Sequence, residues 1–476
     1  MNQANCKGWT CSMVAGRAAA ALTLALALSA AAHAAPAQSV DDGLVYLEGG
    51  TVWIGSPQSE RQRGSDEVRH QVRIDPFCID PREVTQADYQ AVTGTNPSGF
   101  RGGKLPVERV TWLEAVQYCN ALSLRRGLTP VYTISGEAVS WNRAADGYRL
   151  LTEAEWKYAA RAGTSTPFNV GERVDSSQIN FQGSYPYLIE ENYVVERDPT
   201  VRTSRNRGRT IPTGSLPPNA FGLYDMHGNV SEWVFDYYGP YDLKGLSNPA
   251  GPASGALRVN RGGAFNDFGK HLRLAYRSAC NPAVGNRNQG FRIARGAVAG
   301  AADIVTQAPR RLPMPAAPKL FLAYFSYSGN TAGAARMLSQ KLRVNPFEIV
   351  MQEPYEGEIY EVSQRDINAG VLPPLQGVPQ GLQEADVVLL GYPTWWATVP
   401  PPVLAFLHAH DFSGKIILPF SSHGSTDFGE SLSVLAKTVP GAWVGASLEF
   451  YYSGGRRLEQ RMDEWLAQSG LAVRVR

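Results

Sequence analysis

Three continuous apolar runs in the last third of the chain restrict its fold more than any other feature. They are LFLAYF (320–325), VVLLGYP (387–393) and KIILPF (415–420). None alternates apolar with polar residues, so strands built from them must be covered on both faces, as in a parallel sheet flanked by helices. Each run opens into a loop: SYSGNT (326–331), TWWATVPPP (394–402) and SSHGSTDFG (421–429). Loops at the C-terminal ends of such strands are where doubly wound sheets bind ligands. In the first, hydroxyls and free N–H groups at a helix start, with Gly329 allowing close approach, can hold a phosphate without a lysine. An ordinary strand-to-helix turn reads much the same, so the weight rests on the three loops together.

FSYSGNT, GYPTWW and FSSHGS resemble the flavodoxin family across roughly 319–470, and 319–476 is read as the domain. The resemblance implies an α/β doubly wound parallel sheet and FMN. It places Ser326, Ser328, Gly329, Asn330 and Thr331 at the phosphate. Thr394, Trp395, Trp396 and Ala397 fall at the isoalloxazine, and Ser422, His423 and Gly424 in the other flavin-side loop. Core packing is the alternative for the two tryptophans. Their place beside Pro393 in a loop favours flavin contact, with one of them stacking.

Upstream, the Ala/Pro-rich stretch 297–318 has no sustained apolar period and reads as a linker. The segment before it is Gly-, Trp- and Tyr-rich, with three capping signatures: Thr85/Asp88, Thr111/Glu114 and Thr152/Glu155. In each, a hydroxyl can take a first-turn N–H and the acid favours the positive helix end. Gly163 fits the stop of the third helix. Short helices among Gly- and Pro-punctuated strands point to an irregular α+β domain.

The stretches LVYLEGGTVWIGS, PVERVTWLEAVQYCNALS, YRLLTEAEWKYAARAG, NAFGLYDMHGNVSEWVFD, RVNRGGAF and GFRIAR resemble the formylglycine-generating enzyme (sulfatase-modifying factor) family over 44–296. The resemblance implies a C-type-lectin-like α+β fold. Active relatives bind copper through two cysteines shortly after RGGS. Here the stretch is RGGAFNDFGKHLRLAYRSAC, with Ala264 for the serine and no Cys between Cys119 and Cys280. Asp267 or His271 would not replace a thiolate pair for soft Cu(I). No copper is expected, nor formylglycine formation by that route. The family's calcium site maps to Asp225, Gly228, Val230 and Glu232, hard oxygens around a Gly turn that suit Ca²⁺. The alternative is a turn in which the two acids cap backbone donors. The run Arg202–Arg209 reads as an anion-binding rim or, more commonly, a solvated loop.

Residues 1–34 resemble a secretory signal: an apolar Ala/Leu run after Arg17, closing on Ala32-His33-Ala34, with Met13 an alternative start. The run is short for a membrane span, so no stable span is expected after cleavage. The mature chain keeps Cys78, Cys119 and Cys280, which allow at most one internal disulfide. A net charge of +2 gives no pull toward nucleic acid. The expectation is an exported, periplasmic or secreted FMN-binding redox protein. Its small-molecule or envelope substrate and its electron donor are not specified by the sequence. The alternatives are a non-redox envelope ligand-binding protein and a protein-modifying oxidase using another metal.

Overall fold

The computed structural model describes residues 38–39, 42–188, 204–244, 246–296, 302–306, 312–424 and 428–471. The expected signal peptide and Arg202 lie outside them.

In the first module, threonine hydroxyls start three helices: α1 (Gln86–Thr93), α2 (Trp112–Arg125) and α3 (Glu153–Arg161). Thr111 and Thr152 form reciprocal boxes with Glu114 and Glu155, while Thr85 takes the Asp88 N–H. The α3 stop falls where expected: Ala162 is the C-cap at φ 46°, and Gly163 follows it in the left-handed region at φ 87°. A five-stranded sheet includes Phe77–Ile79, Ile293–Arg295 and Tyr148–Leu150. A four-stranded sheet runs Ser278–Cys280, Arg258–Arg261, Ser231–Tyr237, Gln289–Phe291. Trp112, Trp141, Trp233 and Phe235 centre one core; Ile54, Ile79, Leu151 and Trp156 belong to the second.

Buried arginine forks tie this loop-rich module together. Arg149 meets Glu155 at 2.7 Å, Arg277 meets Glu153 at 2.8 Å and Arg273 meets Glu67 at 2.7 Å. Such pairs suit a module with little regular structure, because one guanidinium satisfies carboxylates and loop carbonyls at once. Arg273, for example, also donates to the carbonyls of Gln62 and Lys270.

Part of the expected linker is strand. Ile304–Val305 pairs antiparallel with Ala138–Trp141, and the Thr306 N–H donates to Val139 O at 3.1 Å. A pairing this short leaves no periodic signal in sequence.

The second module is a six-stranded sheet. Pro346–Glu348, Leu320–Tyr324, Val387–Pro393, Ile416–His423 and Trp443–Val444 lie side by side in that order, and Leu448–Tyr451 also pairs with Ile416–His423. Every pairing is parallel. Val388, Leu390 and Ile417 pack into one core, Val387, Leu389 and Leu418 into the other, so both faces are buried. The helices are α4 (Asn330–Leu342), α5 (Ile359–Ala369), α6 (Pro401–Ala409), α7 (Ser431–Thr438) and α8 (Leu458–Gln468). The sheet is the doubly wound one expected.

The described residues form one compact unit, and the modules meet along a hydrogen-bonded seam. Helix α7 lies against strand Ser278–Cys280, with the Ala279 N–H donating to Ser433 Oγ at 2.9 Å. Tyr276 and Ser278 hydroxyls both donate to Glu430 Oε2 at 3.0 Å. Lys437 reaches Asp66 at 3.2 Å.

Candidate functional site

The three loops converge. A cavity of about 450 Å³ at the C-terminal ends of the central strands is lined by Ser328, Asn330, Thr394, Trp395, Trp396, Ser422, His423 and Gly424, all expected from sequence. That volume falls within the usual range for small-molecule sites, ~300–1,000 Å³. Ser326, Gly329, Thr331 and Ala397 are not in the wall. Ser326 Oγ instead takes the Ala332 N–H at 3.1 Å, inside the first turn of α4. Thr331 is 1% exposed and shares a 2.8 Å hydrogen bond with Ser422 Oγ, lacing the first loop to the third. Gly329 is the α4 N-cap at φ 83° and has no side chain of its own to cap the helix. The N-terminal end of α4 thus remains suited to an anion beside Ser328 and Asn330.

The middle loop carries backbone strain. Trp395 and Thr398 bond each other's main chains, at 3.2 and 2.9 Å, around Trp396 and Ala397. Both central residues are left-handed, at φ 52° and 58°. That double positive φ belongs to a type I′ turn, which favours Asn and Gly. Holding a tryptophan and an alanine there costs about 1–3 kcal/mol for each residue, and such cost collects at ligand sites. The turn aims the two indoles differently. Trp395 packs among Phe325, Tyr327 and Tyr355. Trp396 lies edge-on to Tyr360 and donates from Nε1 to Ser363 Oγ at 3.0 Å. Burial pushes His423 down to about 4, so the cavity holds a neutral imidazole at neutral pH.

These walls fit FMN: a helix start and hydroxyls at one end, aromatic rings along the rest.

The two acids of the calcium set already have protein partners. Glu232 is 1% exposed, and its carboxylate is spent on Arg292, at 2.8 Å, and on Trp156 Nε1, at 2.8 Å. A cation there would face a guanidinium. Asp225 Oδ2 takes the Gly214 N–H at 2.7 Å, and the Val230 N–H goes to Glu83. The motif acids therefore act in the sense of the backbone-capping alternative for Asp225, and as an arginine counter-ion for Glu232. Among the described residues, no group of three or more His, Cys, Asp or Glu could hold a metal.

Cys78, Cys119 and Cys280 sit on separate elements and are unpaired. After Gly263, the Ala264 N–H donates to Asp267 Oδ2 at 2.8 Å, and Asp267 Oδ1 has no hydrogen-bond partner. Burial, then the charge of Glu430, pushes Asp267 well above the usual carboxylate range. Burial raises Glu430 as well, against the pull of Lys437.

Between the modules lies a second cavity, of about 430 Å³, walled by Asn266, Cys280, Asn288, Glu430, Glu449 and Arg461 among others. Sequence reasoning missed it, because its two walls come from different modules.

Fold and cavity define a chain in which a flavodoxin-like sheet is fused to a lectin-like α+β module. The chain belongs to the family of the sulfatase-modifying factor enzyme 1-like domain, whose model matches residues 29–297, and a flavodoxin model matches 319–467. The chaperone protein LppX of Paenibacillus barcinonensis is 32% identical over 277 residues, 54% of this chain and 90% of that one. The formylglycine-generating enzyme of Streptomyces coelicolor is 31% identical over 290 residues, 54% of this chain and 90% of that one. The serine/threonine-protein kinase pkn1 of Chlamydia caviae is 32% identical over 263 residues, 53% of this chain; the match spans only 38% of the kinase.

Proposed function

We propose that the chain is an exported FMN-binding oxidoreductase, in which the second module holds the flavin and the first recognises the substrate. The observation that carries this is the meeting of three loops around the 450 Å³ cavity, with a helix start beside Ser328 and Asn330 and a strained turn presenting Trp396. FMN bound there would supply one- and two-electron transfer. The protein's part is positional. Ser328, Asn330 and the start of α4 hold the phosphate, and Thr331 braces the third loop through Ser422. Trp395 and Trp396 flank the ring, and neutral His423 adds no charge to it. The polar 430 Å³ crevice between the modules is the place for a polar substrate, its amides and hydroxyls offering hydrogen bonds in both senses.

Titration of the purified chain with FMN and riboflavin, followed by flavin fluorescence, tests the reading. FMN binds more tightly than riboflavin, and Asn330→Ala narrows the gap by weakening FMN alone. Equal affinity for the two flavins overturns the phosphate assignment, and binding of neither overturns the function.

A further inference from the structure

The cavity outlined by the second module's loops is not walled by that module alone. Tyr185 and Phe268, both of the first module, complete its lining. Their rings stack at 4.2 Å and 19°, and Tyr185 meets Trp396 edge-on at 5.8 Å and 87°. Phe268 is buried behind the half-buried Tyr185.

This roof is built rather than incidental. The Gly269 N–H donates to Tyr185 O at 2.9 Å, and the Gln182 N–H to Asp267 O at 3.0 Å, so the two ring-bearing segments are joined through their backbones. Gly269 permits that approach, since a Cβ there would fall 2.2 Å from Tyr187 N. The seam ties the same region to the flavin loops. The Glu430 N–H donates to Ala397 O at 2.8 Å, inside the strained turn, while its carboxylate accepts from Tyr276 and Ser278.

We propose that the first module is a structural part of the flavin site, with Tyr185, backed by Phe268, contacting the flavin ring system. This rests on the flavin reading above. The ring, not the phosphate, is the match. Tyr185 stands beside Trp396 on the aromatic side of the cavity, and planar heterocycles stack on such walls whatever their substituents. Flavin binding and module docking then reinforce each other, because each stabilises the arrangement the other needs.

The experiment uses the full chain. Wild type, Tyr185→Ala, Tyr185→Leu and Tyr185→Phe are titrated with FMN and riboflavin by fluorescence, with thermal melts of the ligand-free proteins as the folding check. Tyr185→Ala and Tyr185→Leu weaken both flavins alike, by roughly tenfold, and leave bound flavin more fluorescent. Tyr185→Phe keeps the wild-type values. If the Ala variant fails to fold, the Leu variant decides, since it keeps apolar bulk without a ring. Unchanged affinity in a folded Ala or Leu variant, or a loss confined to FMN, overturns the proposal and leaves the flavin reading standing. Binding of neither flavin by wild type overturns both.

Discussion

The carboxylate of Glu430 and the hydroxyl of Tyr276 meet at 3.0 Å across the seam, one from each module. Ser278 shares the same oxygen at 3.0 Å. Glu430 also precedes α7 and bonds Ala397 through its own N–H, so one residue connects the docking surface to the flavin turn. The two modules are therefore one mechanical unit along this line, and Leu257 of the first packs against a core of the second.

Removing that carboxylate leaves two hydroxyls without their acceptor in the seam. Glu430→Ala should lower unfolding free energy by about 2–6 kcal/mol, since buried groups left unpaired cost ~1–3 kcal/mol each. Glu430→Gln keeps an acceptor and should lose less. Urea melts of the three proteins check the order; equal stability of all three would show that the contact contributes nothing.

Gly429 sits at φ 48° beside the strained turn, and a Cβ there would fall 2.6 Å from Ala397 Cβ and 2.7 Å from its carbonyl oxygen. Gly429→Ala must displace Trp396 and Ala397 or distort the third loop. Overpacking of this kind costs ~1–3 kcal/mol. If that cost falls on the bound state, FMN affinity drops by roughly five- to a hundredfold. Fluorescence titration reads the change, and wild-type affinity would show that the turn does not shape the site.

Local patterns carried most of the second module. Runs such as VVLLGYP must be buried on both faces, and their loops then fall at one sheet edge by topology. What escaped was contributed from a distance. Tyr185 and Phe268 lie about 140 and about 60 residues before the first of the flavin loops they roof, and nothing in their neighbouring residues marks them as pocket residues. Thr331 has the residue type of a phosphate ligand, and its hydroxyl also bonds Ser422, a contact made only when the strands are side by side. Glu232 shows the same limit. Its spacing from Asp225 suits a cation, but Arg292, sixty residues on, already supplies the positive charge.

That last pairing makes a prediction opposite to the one calcium ligation would give. Chelator should leave the melting temperature unchanged in wild type. Glu232→Ala should destabilise by about 3–5 kcal/mol, the range for breaking a buried ion pair from one side. Glu232→Gln should fall between, since an amide keeps the Trp156 acceptor but not the charge. Melts with and without chelator separate the two pictures, and a drop of several degrees on chelation of wild type would restore the metal.

His227 sets an acid limit on the first module. The Asn169 N–H donates to its Nε2 at 3.1 Å, so that nitrogen must be bare. Nδ1 therefore carries the proton and donates to Leu272 O at 2.7 Å. The ring is 4% exposed, and burial, followed by weaker effects including Arg261 and Arg161, depresses it from 6.5 to about 4. Because the folded value lies below the unfolded one, the unfolded chain binds the extra proton first. The stability tied to neutral His227 is fully present above about pH 6.5, declines as pH falls and levels off below about 4. The total is about 3 kcal/mol. His227→Gln can still donate to Leu272 and accept from Asn169 but does not titrate. Its unfolding free energy should therefore fall less than wild type between pH 7 and pH 4, by about that amount. Urea melts across that range give both curves; parallel curves would mean that His227 does not control the acid response.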